Sequence, residues 1–310
     1  MKKPYLTSLL LFLGVFSAFS QSTFTLLPKF NVGDTLTYEF TGSGVILGSE
    51  EPTNPSKHVY DLIVTDVDAN GNFKIDYVLK AIDLAFDADE IKEMPFLKQF
   101  AEFYTKDMLR LPIHLTVERS GKLAKIDNAE EITTLCLKKV RPTLKKWAEE
   151  LSKEKITDEA ADSVIREKWD NDLVSTVFEE IPAMFKYYGK PLMYGRSQTV
   201  DSVTTNYTIA KMDDGGIWLK TKIDMMKGKD GESVGIDLAM VENEEGSEGE
   251  DELDYVDITL FEFEDYKFLP NGLLKFLSYK MELGSGEPGE NAGGMSGKTT
   301  LTLLKHTSKH

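Results

Sequence analysis

The sequence predicts an α+β fold: a curved antiparallel β-sheet built from two quasi-repeated β-meander halves, with a helical insert packed on it. Three observations carry that expectation. Many short stretches alternate apolar and polar side chains, the period of a half-buried strand. Glycine-bearing turn signals separate those stretches at comparable spacing in two parts of the chain. Between the two parts, apolar residues instead recur every three or four positions, the period of an amphipathic helix.

The first element is an address. Lys2 and Lys3 precede an apolar run from Leu9 to Phe19, and Ala18-Phe19-Ser20 stands ahead of Gln21. A short basic segment, a short apolar core and small residues before a polar start are the pattern of a secretory signal peptide cleaved near Ser20/Gln21. The apolar run is too short for a good membrane span, and no later segment approaches about 18 uninterrupted apolar residues. The chain is therefore expected to be exported, to the periplasm or the outside of the cell, and soluble after cleavage rather than integral to a membrane. Cys136 is the single cysteine, so no intramolecular disulfide is available and the fold must rest on its core.

Residues 21–127 form the first predicted β-rich half. In Asn72–Lys80, Phe73, Ile75, Tyr77 and Leu79 fall on one face and Lys74, Asp76, Val78 and Lys80 on the other. Thr35–Phe40, Val59–Thr65 and Ile113–Glu118 read the same way, with turns at Asn70-Gly71 and Ser120-Gly121. Residues 190–310 form the second half, with strands over Asn206–Ala210, Ile217–Met225, Leu277–Leu283 and Thr299–Leu304 and turns at Asp214-Gly215-Gly216 and Asn271-Gly272. Gly or Asn at those turns supplies the positive φ that tight hairpins need. The ordered recurrence of two hairpins in each half predicts an internal duplication.

Residues 128–189 are the helical insert. After a capping residue at Asp127 or Asn128, Ile132, Cys136, Val140, Leu144, Trp147 and Leu151 form one stripe, with Pro142 off the stripe and expected to kink or split the helix. A second helical pattern starts at Asp158 and runs through Ala161, Ile165, Trp169, Leu173, Val177, Ile181 and Phe185 until Gly189 closes it. A shorter helix is predicted over Glu90–Tyr104. The acidic stretch 242–254 (ENEEGSEGEDELD) and the glycine-rich stretch 284–297 (GSGEPGENAGGMSG) read as exposed loops.

Composition narrows function by exclusion. The 310 residues are 41% hydrophobic and 28% charged, with 36 Lys plus Arg against 52 Asp plus Glu and a net charge of −16. An acidic chain without a basic run disfavours nucleic acid as a partner. Ala292–Thr299 spells a relaxed phosphate-binding loop, but it precedes a β-prone stretch rather than a helix, so a nucleotide site is rejected. Asp66–Gly71 begins like a calcium loop, yet its twelfth position is Tyr77 instead of Glu, and a hairpin turn accounts for the same residues. His58, His114, His306 and His310 are scattered, Cys136 sits on an apolar stripe as a core thiol, and Trp147, Trp169 and Trp218 read as packing anchors. No catalytic, cofactor-binding or metal-ligating residue is nominated, and no cofactor is implied.

A resemblance adds location. The Ala-x-Ser cleavage site followed by Gln, the start Phe30-Asn31-Val32-Gly33-Asp34-Thr35-Leu36, the Gly71-Asn72-Phe73 hairpin, the run Gly121–Ile126 and Tyr194-Gly195-Arg196-Ser197 ahead of the second half resemble uncharacterised secreted proteins of Bacteroidota. The resemblance implies a cell-envelope location and a curved antiparallel sheet similar to that of periplasmic lipoprotein carriers; no catalytic residues come with it. Asp34-Thr35-Leu36, Asp162-Ser163-Val164 and Asp201-Ser202-Val203 resemble the O-glycosylation sites of the same lineage.

Two functions fit these observations. One is a non-catalytic envelope carrier or binding module that holds a lipid-like, apolar or amphipathic ligand between sheet and helices. The alternative is a structural or interaction protein with a filled core and an acidic surface for an envelope protein partner; an acid/base hydrolase trails both. A carrier is expected to keep an apolar cavity after folding, and an interaction protein is not.

Overall fold

The computed structural model describes residues 23–46, 53–84, 88–168, 173–193, 197–200, 203–224, 258–285 and 294–308. Segment 1–20, expected as a signal peptide, Trp169, Tyr194-Gly195-Arg196, Asp201-Ser202, Met225, the acidic stretch 242–254, the middle of the glycine-rich stretch and His310 lie outside the described residues.

The α+β expectation holds. A small ladder pairs β1 (Thr23–Thr25) with β7 (Pro191–Met193). The other strands are β2 (Thr35–Ile46), β3 (Thr53–Val67), β4 (Phe73–Leu84), β5 (Ile113–Val117), β6 (Leu123–Ile126), β8 (Ser197–Val200), β9 (Val203–Lys211), β10 (Ile217–Asp224), β11 (Ile258–Phe268), β12 (Leu274–Ser285) and β13 (Gly294–Thr307). These eleven form one open antiparallel sheet in the order β6-β5-β4-β3-β2-β13-β12-β11-β10-β9-β8. The two β-rich stretches meet at the middle, where β13 runs antiparallel to β2 from Met295↔Ile46 to Thr307↔Thr35.

Alternation separates the two faces. Leu36, Tyr38 and Phe40 on β2, Tyr60, Leu62 and Val64 on β3, and Ile75, Tyr77 and Leu79 on β4 all point inward and are buried. All nine belong to one buried apolar cluster, and removal of that surface from water is what makes the inner face stable. Stacked rings of Tyr60 and Tyr77, 4.2 Å apart, and Phe178, 5.7 Å from both Tyr77 and Tyr104, join sheet to helices.

The helical layer departs from the expected boundaries for identifiable reasons. The stretch predicted as one helix over Glu90–Tyr104 is two, α1 (Ala88–Glu93) and α2 (Phe96–Glu102), because Pro95 cannot continue a helix; a π-helical turn at Phe103–Asp107 follows. Conversely α3 (Ala129–Ser152) runs unsplit through Pro142. Pro142 and Lys138 are both exposed, so the carbonyl of Lys138 that Pro142 cannot bond faces water. The stripe Ile132, Cys136, Val140 and Leu144 is buried as predicted, whereas Leu151 in the last turn is 66% exposed. Asn128 starts α3 without a side-chain cap: its amide instead accepts from the His114 N–H and donates to the Pro112 carbonyl, tying the helix to β5. The second pattern breaks into α4 (Asp158–Lys168), α5 (Leu173–Val177) and α6 (Glu180–Phe185). Pro182 is tolerated because it falls in the first turn of α6.

Within the expected turn Asp214-Gly215-Gly216, the positive φ belongs to Gly215. One more expectation changes. Of the glycine-rich stretch expected as loop, 284–285 extend β12 and 294–297 open β13.

Four hairpin turns are built alike: in each, the glycine N–H bonds a carbonyl three residues back, from Gly71 to Asp68, Gly121 to Glu118, Gly215 to Met212 and Gly272 to Leu269. The strand order places all four at one end of the sheet. Residues 26–31 run across that end as a strap: the Gly189 N–H reaches the Leu26 carbonyl, the Lys29 N–H reaches the Asn271 carbonyl, and the Asn31 N–H reaches the Asp34 carboxylate.

Candidate functional site

Between α6 and the inner face of β11, β12, β13 and β2 the packing opens into a cleft of about 380 Å³. Its roof is one helical face, Glu179, Pro182, Ala183 and Lys186, at the spacing that puts residues on a common side. Its floor is strand alternation: Glu262, Glu264 and Tyr266 on β11, Leu277 and Tyr279 on β12, Thr299 and Leu301 on β13, and Phe40 on β2. Aromatic and aliphatic floor residues beside a few charged groups is the chemistry of a small-molecule site, and the volume falls at the small end of such sites.

Two buried polar clusters flank the cleft. On one side Glu264, almost fully buried, accepts hydrogen bonds from Lys186 Nζ at 2.5 Å, from Thr221 Oγ1 at 2.7 Å and from the Tyr187 hydroxyl. Burial first, and then the Glu264 charge, hold the Tyr187 hydroxyl far above its ordinary range. The Tyr266 hydroxyl donates to the Ala183 carbonyl at 3.1 Å, fastening the roof to the floor.

On the other side stands Glu180, 1% exposed at the first position of α6. Its Oε1 accepts from the Tyr77 hydroxyl at 2.6 Å and lies 3.4 Å from His58 Nδ1; its Oε2 has no hydrogen-bond partner, nor has His58 Nε2. The adjacent Glu179 keeps an exposed side chain, yet its carboxyl is held above the usual range by desolvation, then by repulsion from Glu180, with His58 opposing. Burial, and then the Glu262 charge, raise the Tyr279 hydroxyl, which hydrogen-bonds Glu262.

The cleft is therefore rich in carboxylates and rings, and Glu264 already takes three donors. A larger hollow of about 530 Å³ on the opposite face is lined by Thr41, Ser43, Ser56, Lys57, Asp83, Lys298 and Thr300 with Gly42, none of them aliphatic or aromatic.

Other residues considered in the sequence lie elsewhere. His114, the exposed residue of the otherwise buried β5, pairs with Asp76 at 2.7 Å, and His306 sits in β13 at 3.6 Å from Asp34. Asp68 accepts from the N–H groups of Asn70 and Asn72, so Asp66–Gly71 is a hairpin turn. Cys136 is fully buried, and burial pushes its thiol up to about 12. Trp147 packs on Phe96, and Trp218 lies on the outer face with Lys220 Nζ 4.1 Å from its ring centre. Among the described residues no group of three or more His, Cys, Asp and Glu side chains forms a metal-binding cluster, and no helix is long and apolar enough to cross a membrane.

None of the cleft residues was singled out from the sequence as a site residue. The available signal was β11 itself, where Phe261 and Phe263 point outward while Glu262 and Glu264 point in. Carboxylates alternating onto the helix-covered face, beside the buried Tyr266 and Phe268, are unusual for a packed strand.

These features define an open antiparallel sheet with one helix-covered face and a polar-rimmed cleft beneath the last helix. No family model and no curated protein matches the chain. A solved structure described as lipid–protein interactions in lipovitellin is similar at a TM-score of 0.44 and 9% identity, over 91% of this chain and 26% of that one. This chain thus spans about a quarter of the length of the structure it matches.

Proposed function

We propose that the protein is a non-catalytic binding module or carrier of the cell envelope that holds a small apolar or amphipathic ligand in the cleft beneath α6. The observation that carries this reading is the cleft itself: about 380 Å³ with Phe40, Tyr266, Leu277 and Leu301 on its floor and a carboxylate-bearing rim. At roughly 30 Å³ per water, a ligand filling it displaces on the order of a dozen waters from beside apolar side chains. That volume suits a single short chain or a small ring system. Export, proposed from the pattern of residues 1–20, supplies the envelope location. An interaction protein with a filled core and an acidic surface for a protein partner is the alternative reading, and the test below separates the two.

The test is expression with the native signal in a bacterial envelope, purification without detergent, and native mass spectrometry beside solvent extraction. A stoichiometric small-molecule adduct, lost when Ala183→Phe fills the cleft, is the expected result. Protein at its bare polypeptide mass under gentle ionisation, with no extractable compound, would count against a tightly held ligand and turn attention to protein partners.

A further inference from the structure

We infer that the cleft selects amphiphiles with a cationic head, a primary ammonium or its methylated equivalent on a short apolar body. This rests on the cleft being a ligand site, and it specifies which chemistry that site accepts.

The first argument is charge. Glu179, Glu180, Glu262 and Glu264 line the cleft, against Lys186 as its single basic residue among the described ones. Lys186 is committed to Glu264 at 2.5 Å. Among the described residues, Glu179, Glu180 and Glu262 have no Lys or Arg within ion-pair distance; the one basic side chain near any of them is His58, 3.4 Å from Glu180. Several other carboxylates of the molecule are ion-paired, as Asp162 is with Arg141 and Asp127 with Lys74 and Lys125, while others, such as Asp68 and Glu149, are met by backbone N–H groups instead.

The second argument is an orphan. A carboxylate oxygen buried without a donor loses its hydration and gains nothing in return, so such groups are rare unless a ligand completes them. Glu180 is 1% exposed and its Oε2 is such an atom.

The third argument is the floor. Phe40, Tyr266 and Tyr279 present rings, which attract cations through their faces, and Leu277 and Leu301 accept an apolar body. An anionic head would meet unpaired carboxylates in a partly dry cleft, where repulsion is far stronger than in water. A cation meets the opposite.

The experiment is a matched-chain series of decylammonium, decyltrimethylammonium, decanol and decanoate, each below its aggregation threshold, titrated calorimetrically into the full mature chain at neutral pH. Ammonium probes are expected to bind at least tenfold more tightly than decanol, a difference of about 1.4 kcal/mol, with decanoate weakest. Glu262→Gln should weaken the ammonium probes about tenfold and leave decanol unchanged. Filling the cleft with Ala183→Phe, or with Thr299→Phe if the first variant does not fold, should abolish binding of all probes. Decanol binding within tenfold of the ammonium probes overturns cation selection while leaving the ligand cleft standing. Ammonium binding that survives the filled cleft overturns it too, since the site would then be the acidic surface. Binding of none of the four probes removes the ligand-cleft reading and this inference with it.

Discussion

The Tyr77 hydroxyl donates to Glu180 Oε1 at 2.6 Å, across 103 residues of sequence, and so joins the middle of β4 to the start of α6. Both groups are buried, and the bond fixes where the roof of the cleft begins relative to the sheet. A hydrogen bond to a buried charged acceptor is among the stronger kinds, and its loss leaves the acceptor short of donors. Tyr77→Phe removes only the hydroxyl. We expect it to destabilise the fold by about 2 kcal/mol, read as a lower urea midpoint at unchanged slope. A change under about 0.5 kcal/mol would mean that this bond does not hold the roof to the sheet.

Tyr104 offers the opposite case. Its ring packs against Phe100, Phe103 and Phe178, yet its buried hydroxyl has no hydrogen-bond partner. Burying an unsatisfied hydroxyl is unfavourable, so Tyr104→Phe, which keeps the ring, should be neutral or stabilising by up to about 1 kcal/mol. Unfolding curves of the two Tyr→Phe variants side by side decide the matter: equal losses would sink the distinction drawn between them.

The turn end makes a graded prediction. Gly71, Gly121 and Gly272 all have positive φ, at 83°, 89° and 78°. A Cβ at Gly71 would meet only Arg119 Cδ at 3.9 Å, whereas one at Gly121 would lie 2.4 Å from Pro28 Cδ and one at Gly272 2.2 Å from the Leu27 carbonyl oxygen. Gly71→Ala therefore carries just the left-handed backbone penalty of about 1 kcal/mol. Gly121→Ala and Gly272→Ala must also displace the strap at residues 27–28, and each should lose about 3 kcal/mol or more. Proteolysis near residues 26–31 should accelerate in those two variants and not in Gly71→Ala.

Much of the fold was legible in the sequence because one face of each strand is buried. Ile75, Tyr77 and Leu79 announce β4, and Ile132, Cys136, Val140 and Leu144 announce α3, through solvent segregation alone. Proline was less legible, since the same residue ends one helix at Pro95 and is carried by another at Pro142; which occurs depends on whether the freed carbonyl reaches water. The pairing of β2 with β13 was not legible at all. It joins residues more than two hundred positions apart, and no local pattern encodes it.

The cleft was hidden for a related reason. Glu180 and Phe185 share a short helix, and the helical period correctly buries Ile181 and Phe185, but period cannot tell a buried carboxylate from an exposed one. Only the sheet beneath decides that. Glu262 and Glu264 were visible as acidic residues among aromatics on β11, and the direction in which each faces follows from the register with β10 and β12, which sequence alone did not supply.

Acid stability offers a test far from the cleft. Asp127, at the start of the helical insert, is partly buried; desolvation alone would raise its carboxyl, but hydrogen bonds from Lys125, Thr116 and Lys74 outweigh it and bring the group from 3.8 down to about 2. The Thr116 contact is 2.6 Å and the Lys125 and Lys74 contacts are 2.8 and 3.2 Å. A carboxyl depressed in the folded state stabilises it above the unfolded value near 3.8 and ceases to do so as pH falls through about 2. Because the site faces solvent on one side, screening reduces the contribution to about 1 kcal/mol. Asp127→Asn should thus be about 1 kcal/mol less stable than the parent at about pH 6, with the gap closing between about pH 4 and pH 2 as the parent protonates. Urea midpoints of the two proteins across that range give the answer: a gap independent of pH would show that Asp127 contributes through shape and neutral hydrogen bonds rather than through its charge.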